Sequence, residues 1–198
     1  MSGFAATYPT MDAEKLREAI TATSAKLGPG LTEQELTAIE QRFDIQFAPD
    51  HRLLLSIALP VEGNWPDWRK GDADELRHRI DWPIESILFD VRNNVFWPKS
   101  WGNRPVSSTA AEGQARHRLR LVPGMVPVYS HRYIPWKPKE PGNPVFSCYQ
   151  SDVIYYGTDI IDWLHREFMG VASRESNTGQ ARFVPFWSLL AESREDEL

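Results

Sequence analysis

Apolar residues recur at helical spacing along the chain as far as Leu121 and then change to short strand-like runs. Leu16 and Ile20 stand four apart and predict a helix from Met11 to about Lys26, capped by Thr10 and ended by Gly28-Pro29-Gly30. A second helix begins after Thr32, whose hydroxyl and Glu35 three residues on make a capping box, with Leu31 placed to staple its start. Leu36, Ile39 and Phe43 supply its apolar stripe. Pro49 opens a third helix, where a missing N–H costs nothing, and Leu53, Leu54, Leu55, Ile57 and Ala58 make it apolar on most sides up to Pro60. Val61 to Arg79 reads as irregular and polar. A fourth helix from Trp82 to Asn93 carries Ile84, Ile87, Leu88 and Val91 at i, i+3, i+4 and i+7, and a fifth runs from about Thr109 to Leu121.

From Val126 to Gly157 three runs rich in β-branched and aromatic residues are separated by turn formers, the pattern of a strand meander. A loop with Pro135, Pro138, Pro141 and Pro144 divides the first two runs and is stiff rather than free. Thr158 is placed to cap a sixth helix to about Met169, with Ile160, Ile161, Leu164 and Phe168 inward and Asp162, His165 and Arg166 outward. Ser173 to Gln180 is a polar loop, and Phe183 to Leu190 is a short apolar segment that packs back on the body. The expected class is therefore α+β: a central, mainly antiparallel sheet flanked by helices, in one domain over residues 1–198. The helix at 11–27 and the segment at 183–190 are accessory to it.

Composition narrows the function classes. The chain has 198 residues, enough for one sizeable core, with eight tryptophans and fifteen prolines suited to large buried rings and rigid turns. A net charge of −5 disfavours sequence-independent nucleic-acid binding and suits docking onto a basic partner. The single cysteine, Cys148, excludes an internal disulfide and sits in a strand-like run as an inert thiol. No signal sequence and no apolar run of membrane-spanning length is recognisable, so a cytoplasmic location without membrane contact is expected.

The search for chemistry is mostly negative. His51, His78, His117, His131 and His165 show no metal-ligand spacing, and neither a metal nor a cofactor is expected. Asp72, Asp74 and Glu75 crowd together without the glycine and distal glutamate of a calcium loop and read as a solvated face. No nucleophile elbow or phosphate-cradling loop is present. Two groups of residues stand out. Trp65 and Trp68 flank Asp67 in a polar stretch and either form an exposed contact surface or fold back on the core. His131, Arg132, Tyr149 and Asp152 fall near the ends of neighbouring strands. They form either a polar and aromatic contact surface or a buried network in which Arg132 pairs with Asp152. A hydrolase built on His131 and Asp152 would require both in a concave pocket.

The order of motifs resembles the SUKH superfamily. An acid-rich capped helix, Leu31-Thr-Glu-Gln-Glu-Leu-Thr-Ala-Ile-Glu40, is followed by Phe47-Ala-Pro-Asp-His-Arg-Leu-Leu-Leu55. Later come Val126-Pro-Val-Tyr-Ser-His-Arg-Tyr-Ile-Pro135 and Tyr149-Gln-Ser-Asp-Val-Ile-Tyr-Tyr-Gly157, which look like motifs of a subgroup. The resemblance spans about 31–169. Ala48 and His51 stand where the pattern has Leu and Tyr, and Gly142-Asn143 where many members have Gly-Asp. It implies an α+β domain without catalytic activity. The expected role is that of an immunity protein neutralising a cognate toxin, for which a basic toxin domain would be the partner. The alternative is an intracellular regulator or scaffold acting through protein contacts, as in fungal cell-wall regulators.

Overall fold

The computed structural model describes residues 12–170 and 181–198. The expected leader, Thr10 cap and Met11 start, and the polar loop at 173–180, lie outside the described residues. In chain order the elements are α1 (Ala13–Thr21), β1 (Leu27–Pro29), α2 (Glu33–Phe43), α3 (Pro49–Ile57), β2 (Ala58–Pro60), α4 (Ala73–Arg92) and α5 (Ser108–Leu119). They continue as β3 (Met125–Tyr129), β4 (Arg132–Pro135), β5 (Val145–Tyr149), β6 (Asp152–Gly157), α6 (Ile160–Met169) and α7 (Trp187–Ala191). The fold is α+β.

The helix starts follow from capping chemistry. Asp12 accepts from the amides of Glu14 and Lys15 to begin α1, and Thr32 and Glu35 close both arms of the capping box on α2. α1 ends at Thr21, short of the expected Lys26, because the following residues pair as strand β1 with β2. That small ladder also overrides the apolar run that suggested α3 would reach Pro60. α4 begins nine residues before its expected start at Trp82. Asp72 caps it through the amides of Asp74 and Glu75, so the acidic cluster is a helix start. Pro83 lies inside this helix and interrupts its ladder, which is why the local pattern suggested a boundary there.

The main sheet is a four-stranded antiparallel meander in the order β3-β4-β5-β6. The first of the three expected runs is itself a hairpin, turned at Ser130-His131, with Ser130 at φ 47°. Because side chains alternate across the pleat, the sheet divides the interior into two cores. On one face Val126, Val128, Ile134 and Val145 pack with α1, α2, α3 and α6, including Leu16, Leu36, Leu54 and Trp163. On the other, Met125, Tyr133, Phe146, Cys148 and Val153 pack with α5, α7 and the second half of α4. α4, about 30 Å long at the usual helical rise, bridges the two: Leu76 and Ile80 belong to the first core, Ile87, Leu88 and Val91 to the second.

Close approach decides one junction. A Cβ on Gly157 would lie 2.6 Å from Trp163 Cβ, so only glycine lets α6 fold back tightly from the end of β6. α6 is capped by Asp159, not by Thr158. Asp162, expected outside, is fully buried and accepts from the Thr158 amide at 2.9 Å and from Arg166 Nε at 2.8 Å. The expected return of the C-terminal segment is observed as α7, where Trp187 is fully buried and donates to the Pro123 carbonyl at 2.7 Å.

Both cores share the same four strands and one bridging helix, so neither half keeps its burial without the other. Limited proteolysis is therefore expected to leave one protected body. Two separately stable fragments would overturn this reading.

Candidate functional site

The two tight turns of the meander, Ser130-His131 and Gln150-Ser151, sit side by side at one end of the sheet, since β4 begins where β5 ends. Each places a non-glycine residue in the left-handed region, Ser130 at φ 47° and Gln150 at φ 58°. Both are tied down. The Ser130 amide donates to the Asn64 carbonyl at 2.9 Å. The amide and hydroxyl of Ser151 donate to Asp90 Oδ2 of α4 at 2.9 and 2.6 Å, and Asp90 is itself buried. Fixed turns hold the flanking residues Tyr149 and Asp152, which face each other across β5 and β6, on rigid backbone.

Arg132 does not pair with Asp152. The register places Arg132 opposite Ser147, and Ser147 opposite Ile154, so Asp152 is displaced along the strand and reaches the surface. Glu167 of α6 supplies the partner instead: its Oε2 accepts from Arg132 Nε at 2.9 Å. Arg132 Nη1 donates to Ser147 Oγ at 3.0 Å, and the guanidinium lies over the Tyr156 ring, 3.7 Å from its centroid. This is the buried network of the second expectation, closed by different residues.

His131 is half-buried, and its Nδ1 lies 3.1 Å from Ser130 Oγ. Burial, and then the neighbouring Arg132 charge, hold its pKa below the ordinary imidazole value, while Glu167 opposes them. Cys148 is fully buried, and burial raises its thiol pKa, which keeps it protonated. What remains open to solvent is a small patch on one face of β5 and β6. Tyr149 is 61% exposed and Ile154 48% exposed, with the Asp152 carboxylate beside them. Asp152 forms no ion pair with another described residue.

The second expected group is not part of this surface. Trp65 and Trp68 are buried, which corrects the exposed reading. Trp65 stacks on Phe168 and meets Tyr129 and Trp163 edge-on, and Trp68 meets Phe43 and Phe47 edge-on. Asp67 is spent on its own turn, where Oδ1 accepts from the amides of Arg69 and Lys70. Trp68 does form part of a shallow cavity of ≈ 190 Å³ with Leu31, Glu35, Ala38, Ile39, Arg42 and Arg69. Arg69 holds Glu35 there at 2.6 Å and keeps its carboxyl at about 2. Neither His131 nor Asp152 lines that cavity.

The structure thus brings His131, Arg132, Tyr149 and Asp152 to one sheet end and separates Trp65, Asp67 and Trp68 from them. Sequence reasoning did not find Glu167, Ser147, Tyr156, Ile154 or Asp90. The alternation in Ser147, Tyr149, Asp152 and Ile154 carried a signal for one shared face, but the partner carboxylate on α6 had none. Among the described residues no three His, Cys, Asp or Glu side chains gather as a metal site requires, and no helix is long and apolar enough to cross a membrane. No family model, curated protein or solved structure matches the chain.

Proposed function

We propose that the protein is a non-catalytic binding domain of the SUKH type that acts as an immunity protein, neutralising a toxin domain with a basic surface. The observation that carries this reading is the patch of Tyr149, Ile154 and Asp152, which has no ion pair among the described residues, on strands held rigid from below. An exposed tyrosine and an aliphatic side chain beside an exposed carboxylate suit a protein contact better than a reaction. The turns that frame the patch are fixed by backbone and by a buried aspartate, so little ordering entropy is lost on docking. The net charge of −5 favours encounter with a basic partner. The order of capped α2, proline-opened α3, meander and α6 is compatible with the SUKH resemblance.

The test is purification with the products of neighbouring genes, followed by a toxicity assay. A basic protein is expected to co-purify and lose its toxicity. Tyr149→Ala and Asp152→Lys are each expected to weaken the complex by about tenfold or more without lowering the melting temperature. A partner from the host's own regulatory proteins, with no toxin neutralised, would overturn the immunity role in favour of a regulator or scaffold.

A further inference from the structure

We infer that the partner-binding surface continues from β5 and β6 around the end of the sheet onto α4, where Phe89 and Val95 meet the same basic partner. This deepens the binding role above and rests on it. Asp90 ties the two parts together. Its carboxylate accepts from the Ser151 amide and hydroxyl at 2.9 and 2.6 Å, and its carbonyl accepts from the Val95 amide at 2.9 Å. Phe89 adjoins Asp90 in the chain, and Tyr149 and Asp152 stand on either side of the turn that Asp90 holds. One buried aspartate therefore fixes the spacing of all four residues.

The side chains on α4 are open to solvent. Ile87, Leu88 and Val91 turn into the second core, and helical spacing leaves Phe89 on the side away from them. Phe89 is 46% exposed, and Val95, just past the helix end, is 71% exposed. Single apolar side chains at a surface are ordinary. Two on α4 and two on the strands, Tyr149 and Ile154, gathered about one buried aspartate make a patch of the kind that marks a protein contact.

Shape and charge specify the occupant. Cys148 and Val153 point into the core that α4 covers, so by the pleat Tyr149 and Ile154 look out from the other face. Phe89 lies on the α4 side. A partner that touches both sides must be concave there and receive the sheet end with its two turns. Asp152 has no ion pair among the described residues, and Arg92, between Phe89 and Val95 in the chain, is taken by Glu112 at 3.2 Å. The occupant is therefore a concave apolar surface with a lysine or arginine placed to reach Asp152. A second copy of this chain docked by the same surface would bring one Asp152 towards another, which like-charge repulsion opposes.

The probe is a photoreactive benzophenone side chain carried by the full chain in place of Phe89, of Tyr149 or, as a control, of Leu121, which is exposed beyond the end of α5. Irradiated in the cell that makes the protein, Phe89 and Tyr149 are expected to capture one and the same basic protein, and Leu121 is expected not to. Val95→Lys and Asp152→Lys are each expected to weaken binding of that protein about tenfold without lowering the melting temperature, since both side chains are exposed. Capture of nothing, of an acidic protein, of a second copy of this chain, or of different proteins from the two positions would overturn the proposal. So would binding unchanged by Val95→Lys. A neutralised toxin captured from Tyr149 alone removes this inference and leaves the immunity role. A basic protein captured from both positions that is not a toxin removes the immunity role alone.

Discussion

Arg132→Ala is expected to lower the stability of the fold by about 3 kcal/mol, read from the urea midpoint at constant slope. Arg132 is 8% exposed, and its guanidinium contacts Glu167 at 2.9 Å, Ser147 at 3.0 Å and the Tyr156 ring. Removing it leaves the Glu167 carboxylate, whose side chain is only 16% exposed, without its ion-pair partner. Stranding a buried charge is what costs most, more than the loss of the pair itself. Glu167→Ala should therefore be comparably harmful. Arg132→Met combined with Glu167→Leu should recover most of the loss, because no charge remains to be desolvated. If Arg132→Ala unfolds with the parent protein and only weakens partner binding, the stabilising account fails and Arg132 belongs to the contact surface.

The contrast between Glu167 and the expected Asp152 shows where a sequence stops being informative. Local chemistry was legible: the Thr32–Glu35 box, proline at the start of α3, and the alternation that builds β5 and β6 all act within a few residues. The pairing of Arg132 depends on which helix crosses the sheet and where, and α6 reaches it only because Gly157 permits a tight return. The hairpin at Ser130 was hidden because its left-handed turn uses serine in place of the usual glycine or asparagine. Asn143 is a further case. Its amide donates to the carbonyls of Pro135 and Pro138 at 2.9 and 2.8 Å, while its Oδ1 accepts from Arg182 at 2.7 Å. An aspartate cannot donate those two bonds, so asparagine at this position has a physical reason that only the folded loop reveals. For Trp65 and Trp68 the polar stretch left exposure and burial both open, and the fold decides for burial: their rings fill the first core.

Asp50→Asn is expected to stabilise the protein at pH 8 and to make its stability strongly dependent on pH between about 4 and 6. Asp50 and His51 are adjacent on α3 and both buried. Burial pushes the Asp50 carboxyl from 3.8 up to about 6; Asp159 adds to the rise and the Gly142 N–H opposes it. Burial likewise raises the carboxyl of Asp159 itself. His51, edge-on to Phe47 at 5.2 Å, is lowered by burial from 6.5 to about 3.

The two shifts have opposite consequences. Between 3.8 and about 6 the folded state keeps a proton on Asp50 that the unfolded chain releases, so this group's contribution is lost as pH rises. Between about 3 and 6.5 the unfolded chain protonates His51 while the folded state does not, so that contribution is lost as pH falls. Across the shared window from about 4 to 6 the slopes cancel, and these two groups leave stability nearly flat. Asparagine keeps an oxygen for the Gly142 N–H, 3.1 Å from Asp50 Oδ2, and carries no charge. The variant should gain up to about 3 kcal/mol at pH 8 and little at pH 4. Its stability should then fall by about 1.4 kcal/mol per pH unit as His51 alone governs the window. Urea unfolding of both proteins from pH 4 to pH 8 decides the matter. Parallel stability curves for the parent and Asp50→Asn would show that the pair does not titrate in opposition.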